Sequence, residues 1–347
     1  DVYKRQNVKV VVEPIASHIT KFNVKQKIVD NSWADPVDMT TGAYTDQVPA
    51  MSVTGESPLT LNLNYNSLNA SEKGQLGYGW SHDFEAYLDV KSTVINVHWN
   101  PTAYSSFVDE RSATRNVNGE IIDGRLVLHK PNDTGVKNYV CISSGMSKYF
   151  MSRDENNIYT LEIPDGQKYV FDSDGKLIQI IQPNEKTVTL EHIGNTTVIT
   201  EDVSGAKLVL NYNDSGLLTS VGDGNGRITS ITYENDLIKS VTNPLGETVV
   251  YTYDANNRLV TSALDGNSPY VTNTYDEEGR VLTQDDADPD TPLSYFSYSE
   301  SENNEFIVDG IDRNGNTVKY VSDGMGHLLS VTDQNNNCLL YTSPSPR

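Results

Sequence analysis

A short phrase returns through the second half of this chain: an aromatic residue, an acid or amide, a turn, then a basic residue and a leucine. It reads Phe171-Asp172-Ser-Asp-Gly175-Lys-Leu177, then Tyr212-Asn213-Asp-Ser-Gly216-Leu-Leu218, then a shortened Tyr233-Glu234-Asn-Asp-Leu237. It returns as Tyr253-Asp254-Ala-Asn-Asn257-Arg258-Leu259 and Tyr275-Asp276-Glu-Glu-Gly279-Arg280-Val281. The aromatics are 41, 21, 20 and 22 residues apart, so the first gap holds two periods, one of them decayed. A period of about twenty residues implies stacked architecture, because one unit cannot bury its apolar face without a neighbour.

Each copy has a physical reading. Upstream of the phrase lies alternation, as in Arg227-Ile228-Thr-Ser-Ile231-Thr-Tyr233, which sets β-branched and aromatic residues on one face of a strand. The Asp/Asn/Gly cluster supplies hairpin chemistry, and a second alternating run follows it. A second turn closes the period, as at Asp223-Gly-Asn-Gly226, Asn243-Pro-Leu-Gly246, Asp265-Gly266 and Asp312-Arg-Asn-Gly315. No segment carries a sustained apolar stripe of helical period, so the expected fold is all-β with few helices: an antiparallel ribbon of hairpins.

These residues resemble the tyrosine-aspartate (YD) repeat of the rearrangement hotspot, or Rhs, family, with Asn257 standing where glycine is usual. A second resemblance lies upstream. Asp35-Pro36-Val-Asp-Met-Thr-Thr-Gly42-Ala-Tyr44, Pro58-Leu-Thr-Leu61, Tyr65-Asn66-Ser67 and Leu76-Gly77-Tyr-Gly79-Trp80-Ser-His82 look like the lead-in module that precedes the repeats in that family. The two matches cover most of Asp35 to Asn337. The resemblance implies a ribbon wound into part of a curved or spiral shell around a C-terminal toxin. On this reading the named repeat and lead-in residues are structural, no residue is catalytic, and the partner is the protein's own C-terminal toxin.

The lead-in also makes sense on its own terms. Leu59-Thr-Leu-Asn-Leu-Asn-Tyr65 alternates strictly and would bury Leu59, Leu61, Leu63 and Tyr65 on one side. Gly74, Gly77 and Gly79 crowd a turn that delivers Trp80, read as a packing anchor in preference to an aromatic platform for sugar.

Both ends resemble translated sequencing-adaptor read-through: Asp1 to Gln6, and Cys338 to Arg347. The expectation is a truncated reading frame whose organisation is residues 1–6 foreign, 7–34 a linker or the end of an upstream region, 35–163 the lead-in module, 165–337 the repeat array and 338–347 foreign.

A formal charge of −21 argues against nucleic-acid binding, which needs clustered Lys and Arg, and against an anionic membrane surface. No apolar run reaches the length needed to span a bilayer. The six histidines are scattered without zinc spacing, no G-x-S-x-G elbow occurs, and Ser81-His82-Asp83 would alternate faces of a strand. Cys141 reads as a small buried hydrophobe. The remaining metal candidates are acidic turns, at Asp285 to Asp290, Asp312-Arg-Asn314-Gly-Asn316 and Asp172-Ser-Asp174, though none has a complete calcium loop, and solvated turns are the expected outcome. No metal and no cofactor is expected. The second functional reading is a secreted or cell-surface adhesin whose repeats bind carbohydrate or another surface ligand.

Overall fold

The structure, a computed structural model, describes residues 36–54, 58–91, 94–101, 103–109, 114–115, 121–123, 137–143, 148–265, 267–285, 293–323 and 326–340. Asp35, the adaptor-like segment 1–6, the acidic stretch from 286 to 290 and the glycine turns at 119 and 124 lie outside those residues. Among the described residues the fold is antiparallel β throughout, with one helical turn of the 3-10 kind at Ser67–Asn69.

Two compact units divide the chain. One gathers Asp1–Asp46, Tyr65–Ser71 and Val249–Arg347, and the other Gln47–Asn64 and Glu72–Thr248. These units interleave in sequence, so each takes a piece of the lead-in and a run of the repeats.

In the second unit a hairpin ribbon runs without interruption in pairing from Lys137–Cys141 to Leu237–Thr242, each strand antiparallel to the next. Alternation sets its two faces. Met151, Leu161, Tyr169, Ile180, Leu190, Ile199, Leu210, Val221 and Ile231 are buried along one side, and the other carries polar residues such as Ser152, Thr160, Thr189, Thr200 and Asn211 together with Val170, Val198 and Val209. The lead-in strand Leu59–Asn66 shows the same logic, with Leu61 and Leu63 fully enclosed. Trp80 is 1% exposed and packs as an anchor, which leaves no open ring face for a sugar. Trp99 is equally enclosed, donates its Nε1–H to Ser105 Oγ at 3.0 Å, and meets the Tyr169 ring edge-on.

In the first unit the ribbon runs from Thr248–Tyr253 through Cys338–Leu340, again strand by strand. Paired outward hydroxyls line its wet face: Thr252 with Thr261 and Thr274 with Thr283, both at 2.6 Å. Such cross-strand pairs hold the register that the alternation selects.

Candidate functional site: the repeat turns and the lead-in segment

The aspartate of the phrase opens its turn. At Asp254 the backbone N–H donates to the Arg258 carbonyl (2.9 Å) and Asn257 N–H donates back to the Asp254 carbonyl (3.1 Å). Asp254 Oδ1 accepts the N–H groups of Asn256 and Arg258 at 2.8 and 2.9 Å. The fourth residue then takes positive φ, +64° at Asn257 and +89° at Gly279, and the strand register slips just before the turn. This is a type I turn closed by a left-handed bulge residue, which is why Gly or Asn ends the motif and Asp begins it. The shortened copy differs: Asn235 and Asp236 both have positive φ between the paired Glu234 and Leu237, a two-residue primed turn.

The basic residue returns to the aspartate. Arg258 Nε donates to Asp254 Oδ2 at 2.7 Å and Arg280 Nε to Asp276 Oδ2 at 2.6 Å. Arg227 does the same to Asp223 at 2.8 Å in the second turn of its period. Arg258 also reaches forward, donating to the Asp276 carbonyl and lying 5.2 Å from the centre of the Tyr275 ring. Arg280 lies 4.6 Å over Tyr298. The guanidinium thus closes its own turn and supports the aromatic of the next copy.

The tyrosine reaches backward. Tyr233 donates its hydroxyl to the Leu218 carbonyl (2.6 Å), Tyr275 to Leu259 (2.5 Å) and Tyr298 to Val281 (2.5 Å). Burial raises the hydroxyl pKa of all three, so the donor stays protonated. His192 Nε2 meets the Leu177 carbonyl at 2.8 Å in the same way. His192 falls 21 residues after Phe171 and 20 before Tyr212. It occupies the decayed copy, where an imidazole N–H replaces the phenol.

The lead-in segment meets these copies at their turns. In the first unit Gly42 O accepts Val281 N–H (2.9 Å), Tyr65 OH accepts Leu259 N–H (2.8 Å), and Ser67 Oγ donates to Gly279 O (2.8 Å). Tyr44 N–H in turn donates to Ser67 Oγ at 3.0 Å. In the second unit Gln75 O accepts Leu218 N–H (2.8 Å), Tyr78 N–H donates to Asp236 O (3.3 Å), and Leu88 N–H donates to Gly175 O (2.8 Å). Close approach explains two glycines: a Cβ on Gly77 would stand 2.0 Å from the Asp236 carbonyl oxygen, and one on Gly175 2.4 Å from that of Leu88. Gly216, by contrast, faces open space. Pro36 O accepts Thr45 N–H, Asn66 Oδ1 caps Leu68 N–H, and Gly79 N–H donates to Glu72 O.

The candidate chemical groups singled out in the sequence sit in structural surroundings. Asp83 accepts from Asn62 and from Asn64, at 2.8 to 3.0 Å. His82 is 2% exposed, and burial lowers its pKa to about 3. Cys141 is buried, and burial pushes its thiol up to about 11, away from nucleophilic use. Asp312 spends Oδ1 on the N–H groups of Asn314 and Asn316 and Oδ2 on the Asn316 amide. Asp172 Oδ1 likewise holds Asp174 and Lys176 N–H. Among the described residues no group of three or more His, Cys, Asp or Glu is placed to hold a metal ion.

A profile of the RHS repeat matches residues 233–270, the stretch that includes the Asp254 turn. Residues 233–270 thus carry an RHS repeat. A second profile, a domain of unknown function designated DUF6531, matches residues 34–106 of the chain, the stretch that carries the lead-in module. The chain is similar to Double-stranded DNA deaminase toxin A of Burkholderia cenocepacia (strain H111), 26% identical over 290 residues, which is 74% of this chain and 18% of that protein. It therefore spans less than a fifth of the length of that relative. Among solved structures it is similar to the TcdB2-TccC3 crystal structure, with 11% identity, a TM-score of 0.33, and coverage of 81% of this chain and 17% of the other. A Photorhabdus luminescens Tc holotoxin pore matches at 14% identity and a TM-score of 0.26, covering 86% and 16%. The repeat turns have a structural role, holding one copy to the next. Among the described residues no helix is long and apolar enough to cross a membrane.

Proposed function

We propose that this chain is a non-catalytic length of a secreted or cell-surface Rhs shell that encloses a C-terminal toxin and helps deliver it. The observation that carries the reading is the use of the signature residues. Tyrosine, aspartate, arginine and glycine of the phrase hold one copy to the next and to the lead-in segment, so the signature describes a wall and not a reaction centre. Its similarity to part of a far longer protein named as a toxin supports a cargo elsewhere in the gene product. In this reading residues 35–163 act as the lead-in module and 165–337 as the repeat array.

The test is limited proteolysis of the full-length gene product. Polypeptide beyond the repeats should survive protease that digests it when it is expressed alone, and the purified 347-residue chain should show no hydrolase or deaminase activity. A C-terminal region cut at equal rates in both contexts would remove the enclosure reading.

One observation favours carbohydrate binding as the second reading. Exposed Tyr87 and Tyr104 flank the half-buried His98 in a cross-strand row, with Tyr87 and His98 stacked at 4.6 Å. Stacking turns the ring faces toward one another and leaves mainly edges to solvent, so this reading stands second. Glycan-array binding that is lost in Tyr104→Ala would promote it.

A further inference from the structure

We propose that Glu85 is a protonation latch on the seam where the lead-in segment meets the repeat copies of the second unit. Its carboxyl is almost fully enclosed. Oε2 accepts the His82 backbone N–H at 3.2 Å, and Oε1 is buried with no hydrogen-bond partner. The His82 ring is fixed by its own contacts: Nδ1 accepts Phe84 N–H at 3.2 Å, so Nε2 carries the hydrogen and donates to Gln75 Oε1 at 3.0 Å. That ring is neutral, and its 3.9 Å approach to Glu85 Oε2 is no ion pair. The backbone carbonyl of the same Gln75 accepts Leu218 N–H, and Leu218 passes its own carbonyl to Tyr233. Glu85, His82, Gln75 and Leu218 therefore form one connected path from a buried acid to a repeat copy.

The titratable groups acting at the carboxyl are Asp83 and Tyr87 from its own segment and Tyr212 and Tyr233 from the repeat strands. None is a cation. Burial raises the carboxyl to about 8, so at neutral pH it keeps its proton and avoids the larger cost of a buried charge. Ionisation places a charge beside one N–H donor in an almost fully enclosed site. The charge is relieved when residues 82–85 draw away and admit solvent, which withdraws Gln75 from Leu218.

Amide hydrogen exchange on the whole chain tests this, with rates corrected for intrinsic base catalysis. Leu218 protection should fall at least tenfold between pH 6 and 9, while Leu259, held by Tyr65 in the other unit, should not change. In Glu85→Gln the Leu218 protection should stay flat. A flat wild-type profile, or the same fall in the variant, would overturn the latch. Should the variant fail to fold, the carboxyl carbon shift of Glu85 in wild type decides: a midpoint near 8 supports the proposal, and one near 4.5 ends it.

Discussion

At the scale of single residues, the repeat turn is a hydrogen-bond problem with one economical answer. Asp supplies one oxygen to two turn N–H groups and keeps the other for the residue four places on, where Arg, Asn and His all serve: Arg258, Asn316 and His327 make the same closure. The glycines of the turns and the lead-in separate into two kinds, which predicts two outcomes. Gly216→Ala has open space and pays only for left-handed backbone, about 1 kcal/mol. Gly77→Ala adds a collision with the Asp236 backbone and should cost about 3 kcal/mol or more, read as a shift in urea midpoint. Arg258→Met should cost about 1–2 kcal/mol, because it strips the Asp254 pair, the Asp276 contact and the Tyr275 ring contact together. The turn was legible in sequence because its requirements fall on side chains six or fewer residues apart. Asn257 illustrates this: it departs from glycine yet satisfies the same φ.

At the scale of the element, strands and hairpins followed from alternation and turn residues, while the links between them did not. His192 was invisible to the phrase, since neither an aromatic phenol nor a following aspartate marks it, yet it makes the same backward bond as its tyrosine counterparts. The roughly twenty-residue spacing was the surviving signal. Tyr275→Phe should cost about 1–2 kcal/mol by leaving the buried Leu259 carbonyl without its donor, and His192→Phe should cost a similar amount at Leu177. Matched losses in thermal unfolding would establish the two side chains as equivalents, and an unaffected His192→Phe would separate them. The lead-in contacts were equally hidden. Gly42, Gln75 and Leu88 act through backbone groups, which leave no side-chain signature, and only the glycines that permit close approach hinted at them.

At the scale of the whole molecule, buried ionisable groups set the pH range of stability. Glu85 has a folded value of about 8 against an ordinary 4.5, so the folded chain holds a proton that the unfolded chain releases. Its contribution is full below about pH 4.5 and is lost as pH rises through 8. His82 is displaced the other way, from 6.5 to about 3, so its contribution is full above about pH 6.5 and is lost as pH falls toward 3. Unfolding midpoints should therefore peak at about pH 5–6 and fall on both sides, with Glu85→Gln flattening the alkaline limb alone. The backward tyrosine bond has a consequence for how such a gene changes length. Where that bond is made, a copy depends on the one that follows to occupy its leucine or valine carbonyl, so a duplication or deletion there is silent only when it spans a whole period. Recombination within a period would strand a carbonyl on one side and a phenol on the other, and selection should keep the breakpoints of surviving rearrangements in phase.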